Sequence, residues 1–169
     1  MSGITLEKCT KKAQKWRENI LVAKDGDKVL VEGVVAFITY TQSWKENGFY
    51  LVDNTGSIFV YDTQIVARVD VGNKVKIAAT KDYFVAVDEQ SNANKFGYKG
   101  CGQLTSAYLV SNDEGNNQFD LTWVEESTVK EIMETPYSEN ITANIYKVNA
   151  FVKKQVNPGF VNYYIDDLD

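Results

Sequence analysis

The chain has no histidine at all, and only two cysteines and two prolines among 169 residues. Without imidazole, Ser-His-Asp and Cys-His nucleophile systems are excluded, as are imidazole general bases and every His-containing zinc site. Catalysis would have to rest on carboxylates, Lys, Tyr or a lone thiol. Two carboxylates suffice for glycoside hydrolysis, but no Asp/Glu pair in this sequence stands in a recognisable catalytic context. No catalytic residue, metal ligand or cofactor is assigned, and a non-catalytic binding module is the expected class. Cys9 and Cys101 are too few for a disulfide framework and too far apart for a CxxC motif, leaving one long-range bridge or two free thiols. Long apolar runs are missing too: no stretch approaches the roughly 18 residues of a spanning helix. The opening MSGITLEKCTKKAQ also lacks the apolar core of a signal peptide. No membrane insertion is expected of this segment. The location is extracellular or cell-envelope if a signal has been trimmed, and cytoplasmic otherwise.

What is present is strand-forming and acidic. Aromatics make up 12% of the chain and hydrophobic residues 44%, the balance of an ordinary globular protein. Residues 1–20 hold five cations (Lys8, Lys11, Lys12, Lys15, Arg17) against Glu7 and Glu18, a local +3. The total of -5 therefore leaves -8 on the other 149 residues. Such a balance argues against phosphate tracking over the whole surface, since counterion release needs clustered cations. The first segment predicts a helix over 5–20, capped by Thr5, with Leu6, Cys9, Ala13, Trp16 and Ile20 recurring at spacings of three and four. Its lysines fall on a neighbouring face, read as solvated, with membrane or nucleic-acid contact as the rival.

Strands follow the Asp25-Gly26-Asp27 turn signal. Lys28–Tyr40 predicts a long strand whose central Gly33 marks a bulge or bend. Polar residues 41–47 lead to a strand over Gly48–Asp53, and Asn54-Thr55-Gly56 makes a tight hairpin into Ser57–Asp62. Residues 63–71 connect, with a short helical turn, to a strand from Lys74 to about Val87. After a long polar loop come strands over Leu104–Val110 and Leu121–Val124, separated by an exposed turn at 113–118. Ser127–Glu134 predicts a short helix with Glu131 closing a capping arrangement, ended by Pro136. Ile141–Lys154 predicts another long strand, and Tyr163–Asp166 its hairpin partner.

The order VEGVV (31–35), FYLVD (49–53), Asn-Thr-Gly, SIFVY (57–61) and VGNKVKI (71–77) resembles the OB-fold over about residues 27–110. That resemblance implies an all-β fold with minor helix. It would be a five-stranded Greek-key barrel, with the 1–24 helix before it and the first strands of a second OB-like unit after it. The expected domains are 1–24, 25–126 and 127–169. The leading helix makes the chain similar to secreted or lipoprotein OB modules of gut bacteria, some of them in tandem. The resemblance also implies a ligand face on strands two and three with the flanking loops. Strand alternation puts Val29, Val31, Gly33, Val35, Phe49, Leu51, Ile58 and Val60 inside, and Tyr50, Val52, Phe59 and Tyr61 outside.

The candidate ligand residues are then Tyr50, Phe59 and Tyr61 on the face, Trp44 and Lys45 in the first loop, and Lys95, Phe96, Tyr98 and Lys99 in the second. Rings flanked by lysines suit stacking of single-stranded bases, and the same rings can stack on sugars of an oligosaccharide. The competing expectation is that Tyr50, Phe59 and Tyr61 are covered by the chain's own helix or second domain. Asp53 is read as a turn residue satisfying local backbone donors.

The tail partly repeats the opening. NIYKVNAFVKK (144–154) parallels VLVEGVVAFIT (29–39) and YYIDD (163–167) parallels FYLVD (49–53), with one ungapped offset of 114 from Ala36-Phe37 to Ala150-Phe151 and from Phe49-Tyr50 to Tyr163-Tyr164. Two strands cannot close a barrel. The expectation is continuation into a second OB domain, or docking of 138–169 on the first domain or a neighbouring chain. A protein-protein interaction or structural domain of a secreted multidomain protein is therefore the second function class.

Overall fold

The computed structural model describes residues 20, 23–41, 43–84, 101–119, 121–134 and 145–168. Five strands carry most of the order: β1 Lys28–Tyr40, β2 Glu46–Val52, β3 Ser57–Tyr61, β4 Lys74–Phe84 and β5 Cys101–Asp113. They hydrogen-bond in the order β1-β2-β3-β5-β4 and close on themselves where β1 meets β4. β1 is long because it serves two partners. Residues 28–34 pair with β4 and residues 34–40 with β2, both antiparallel. Gly33 stands just before the change of partner, where a side-chain Cβ would fall 2.7 Å from the Val52 carbonyl oxygen. The bulge expected there lies further on, between Val35 and Phe37. Gly33 thus serves close approach of two backbones.

The closed sheet wraps an apolar core. Val31, Val35, Phe49, Leu51, Ile58, Val60, Val75, Ile77, Ala79 and Leu104 are buried together, with Val29 packed against them. Each Val, Leu, Ile or Phe among them contributes about 1.5–3 kcal/mol by leaving water. Ile20, last of the predicted helical stripe, also enters this cluster. The rest of the 5–20 helix lies outside the described residues. One end of the core is filled by Ile65, Val66 and Val69 around a 3-10 turn, Val66–Arg68. Asp62 Oδ1 starts that turn by accepting the N–H groups of Gln64 and Ile65.

The ring is unevenly closed. β4 and β5 share a long antiparallel ladder, whereas β3 and β5 are parallel and share a single register pair, Val60 with Leu104. Beside that seam the Ala107 N–H donates to Asp62 Oδ2 at 3.0 Å.

Beyond residue 113 the expectations need correction. The exposed turn at 113–118 is present, but residues 121–124 form a turn and the strand follows it as β6, Glu125–Ser127. Helix α1 spans Val129–Glu134. The predicted strand over 141–154 is two strands, β7 Tyr146–Val148 and β8 Ala150–Asn157, broken at Asn149; 141–144 lie outside the described residues. The break is a change of partner: β7 pairs parallel with β6, and β8 antiparallel with β9, Phe160–Asp167. The β8–β9 turn is only Pro158-Gly159, with Gly159 at φ +87. Both strands therefore run closer to the turn than the repeat implied. Phe37 pairs with Tyr50 between β1 and β2, while Tyr164 pairs with Lys153 between β9 and β8, a register displaced by two residues from the one the offset of 114 implied. A displacement of two keeps every side chain on its expected face.

Candidate functional site

Strands β1, β2 and β3 present a row of four rings on their outer side. Phe37 meets Tyr50 edge-on with centroids 6.4 Å apart, Tyr50 lies 5.2 Å from Phe59, and Phe59 lies 6.4 Å from Tyr61. Phe37 and Tyr61 are exposed, and Tyr50 and Phe59 are half-buried. Cross-strand register explains the row, since Phe37 opposes Tyr50 and Tyr50 opposes Phe59.

Sequence reasoning placed Tyr50, Phe59 and Tyr61 on this face but missed Phe37. Strict alternation from Val35 sends Phe37 inward. The bulge at Ala36, itself buried, inserts one residue and turns Phe37 out. Gly48 is the second omission. A Cβ there would fall 2.4 Å from the Val60 carbonyl oxygen and 2.8 Å from Phe59 Cζ, so this glycine leaves the space that the Phe59 ring occupies. Val52, expected outside, is wholly buried, and Val34 directly opposite it is buried too. At that end the outer side is not ligand surface: the Trp123 indole N–H donates to the neighbouring Asp53 carbonyl oxygen at 2.8 Å.

Trp44 sits in the β1–β2 connection and is 85% exposed. Its N–H donates to the Thr41 carbonyl, and the Thr41 N–H donates to the Lys45 carbonyl, closing a tight turn. Trp44 holds φ +60 at the position where such hairpin loops ordinarily carry glycine. An L-residue in this region costs about 1–2 kcal/mol. Lys45 is exposed beside it, its N–H donating to Thr41 Oγ1. Lys95, Phe96, Tyr98 and Lys99 lie outside the described residues.

Asp53 has the geometry of a turn residue. Its Oδ1 accepts the Thr55 N–H, the Thr55 hydroxyl and the Gly56 N–H. Oδ2 is buried and has no hydrogen-bond partner among the described residues. Burial raises the Asp53 carboxyl above the ordinary carboxylate value, outweighing the lowering by the three bonds to Thr55 and Gly56. Among the described residues no group of three or more Cys, Asp or Glu could hold a metal ion. Nor is any helix among them long and apolar enough to cross a membrane.

Compared with family models, curated proteins and solved structures, the chain matches none. The functional reading therefore rests on the residues of this face.

Proposed function

We propose that the protein is a non-catalytic binding module of the OB type, whose ligand is a short chain of flat or ring-shaped units lying on Phe37, Tyr50, Phe59 and Tyr61. The observation that carries this reading is the continuous row of rings across three strands. The strand order with closure of β1 on β4 supports the OB kinship, as does the position of the row on strands two and three. Exposed Trp44 in the β1–β2 loop supplies a further ring at the edge of the same strands. Rings give affinity without charge, which suits a chain of net charge -5. An oligosaccharide is accordingly the first ligand class. Single-stranded nucleic acid is the second, favoured by Lys45 beside Trp44 and by Lys95 and Lys99 in the sequence.

The test is a titration of the full chain with panels of oligosaccharides and single-stranded oligonucleotides, followed by tryptophan fluorescence and calorimetry. Removing one stacking ring costs about 1–3 kcal/mol of binding, so Tyr50→Ala or Trp44→Ala should weaken the ligand about tenfold or more. Affinity unchanged by salt identifies a neutral glycan, and a steep salt dependence identifies nucleic acid. Failure of both panels, or binding indifferent to Tyr50→Ala and Phe59→Ala, would overturn the reading.

A further inference from the structure

The β8–β9 hairpin has two unlike faces. On one, Lys153 pairs with Asp166 and stands 5.0 Å over the Phe151 ring, and the Asn162 amide donates to the Tyr164 hydroxyl. Gln155 and Asn157 lie on the same face, with Phe160 exposed beside the turn, so charged and amide groups are interleaved with its rings. On the other, register sets Val152 opposite Ile165, Lys154 opposite Tyr163 and Val156 opposite Val161. All five of those apolar side chains are exposed, Tyr163 at 65%. Of the two charged groups on this face, Asp167 is engaged with α1 through the N–H groups of Val129 and Lys130. Lys154 stands between Val152 and Val156, opposite Tyr163, and because β8 has no strand on its other side among the described residues, its long stem can carry the ammonium to the rim.

The sequence repeat says what kind of surface this is. At the offset of 114, Val152, Tyr163 and Ile165 correspond to Ile38, Phe49 and Leu51. In the first copy Phe49 and Leu51 are completely buried and Ile38 packs against the same core. The tail thus exposes the face that its counterpart hides inside the closed sheet.

We infer that this face is an interface between two copies of the chain, packed sheet on sheet about a two-fold axis. Charge favours the tail as the meeting place. The whole chain is acidic, yet residues 145–168 hold Lys147, Lys153 and Lys154 against Asp166 and Asp167, so two tails approach without the repulsion of the acidic remainder. Area agrees. Each face offers on the order of 500 Å² of mostly apolar surface, the size of the largest apolar patch on an ordinary monomer, a patch that is often functional. Two together reach about 1,000 Å², the lower bound of a specific interface. An isologous contact needs one self-complementary patch, which an apolar sheet face provides when Lys154, its one charge unengaged among the described residues, is carried to the rim. This inference is independent of the ligand reading.

Sedimentation equilibrium of the full chain from low to high micromolar concentration tests it. The expected result is the mass of two chains at the upper end, reduced to one chain by Val156→Lys or Tyr163→Lys and retained in Gln155→Lys on the opposite face. A wild type that stays monomeric throughout overturns the inference, as does a dimer untouched by Val156→Lys and Tyr163→Lys. Should these variants lose their circular dichroism signature, covalent labelling of Tyr163 in the wild type decides. Labelling that falls as concentration rises supports the interface, and labelling independent of concentration overturns it.

Discussion

Trp44 and Asp53 are each held in a state that costs the fold something, and each gives a measurable consequence. Trp44 combines a left-handed backbone with near-complete exposure of its indole, so neither packing nor torsion rewards it in the free protein. Trp44→Gly should raise stability by about 1 kcal/mol, read as an upward shift of the urea midpoint. The same change should weaken a stacked ligand, so stability and binding move in opposite directions. For Asp53 the sign follows from its raised carboxyl. Below the ordinary carboxylate value both folded and unfolded chains are protonated there. As pH rises toward the raised folded value, the folded state holds more protons than the unfolded one, and this group's contribution to stability falls. Above the folded value the loss is complete and constant. Asp53→Asn removes the titration, so its stability relative to wild type should improve from about pH 3 to neutrality, measured by urea unfolding across that range. Carbon-detected titration should likewise find Asp53 above the ordinary value. Asp166, beside the Lys153 ammonium that bonds to it and attracts it, should titrate below that value.

Among the elements, α1 is a single short helix whose start is fully accounted for. Thr128 Oγ1 accepts the Glu131 N–H, and the Glu131 carboxylate accepts the Thr128 N–H and the Ser127 hydroxyl. These bonds, the Thr128 amide foremost, hold the Glu131 carboxyl below its ordinary value. Asp167, from the far end of β9, takes the Val129 and Lys130 N–H groups at 2.6 and 2.8 Å. Asp167→Ala should therefore cost about 1 kcal/mol locally and speed hydrogen exchange at Val129, Lys130 and β9, leaving β1 and β2 unchanged. The part of Glu131 in closing a capping arrangement was legible in sequence; the Asp167 clasp, 38 residues distant from Val129, was not. The same distinction runs through the sheet. Period-two alternation located Phe49, Leu51, Ile58 and Val60 inside, and it equally puts Lys81 inside β4, where its ammonium is 3.9 Å from Asp25. Alternation reports which way a residue points but not what meets it there. It also fails after a bulge, which is why Phe37 was missing from the candidate face. The rings of that face were legible because β2 and β3 are short, regular and joined by the Asp53–Gly56 turn.

Across the whole molecule burial is concentrated in the closed sheet. Every buried hydrophobic residue among those described falls between Ile20 and Leu104, and none lies in 121–168. Native-state hydrogen exchange should accordingly divide the chain. Amides of β1, β2 and β4 should approach global protection, while β6–β9 exchange far faster at low concentration. Protection in β8 and β9 that grows with concentration would mark the tail interface. The strand order was not given by any one motif, because the pairing of β1 with β4 and of β3 with β5 joins residues far apart in sequence. That last pairing also bears on time. The β1-β2-β3 meander forms from neighbours, but the parallel seam waits until Val60 finds Leu104 across the β4 excursion, and loop closure over such separations is slow. With a single register pair and the Asp62–Ala107 bond to fasten it, the seam should be the line along which the ring zips last on folding and parts first when it breathes, read as weaker exchange protection of the Ala107 amide than of β1 and β2.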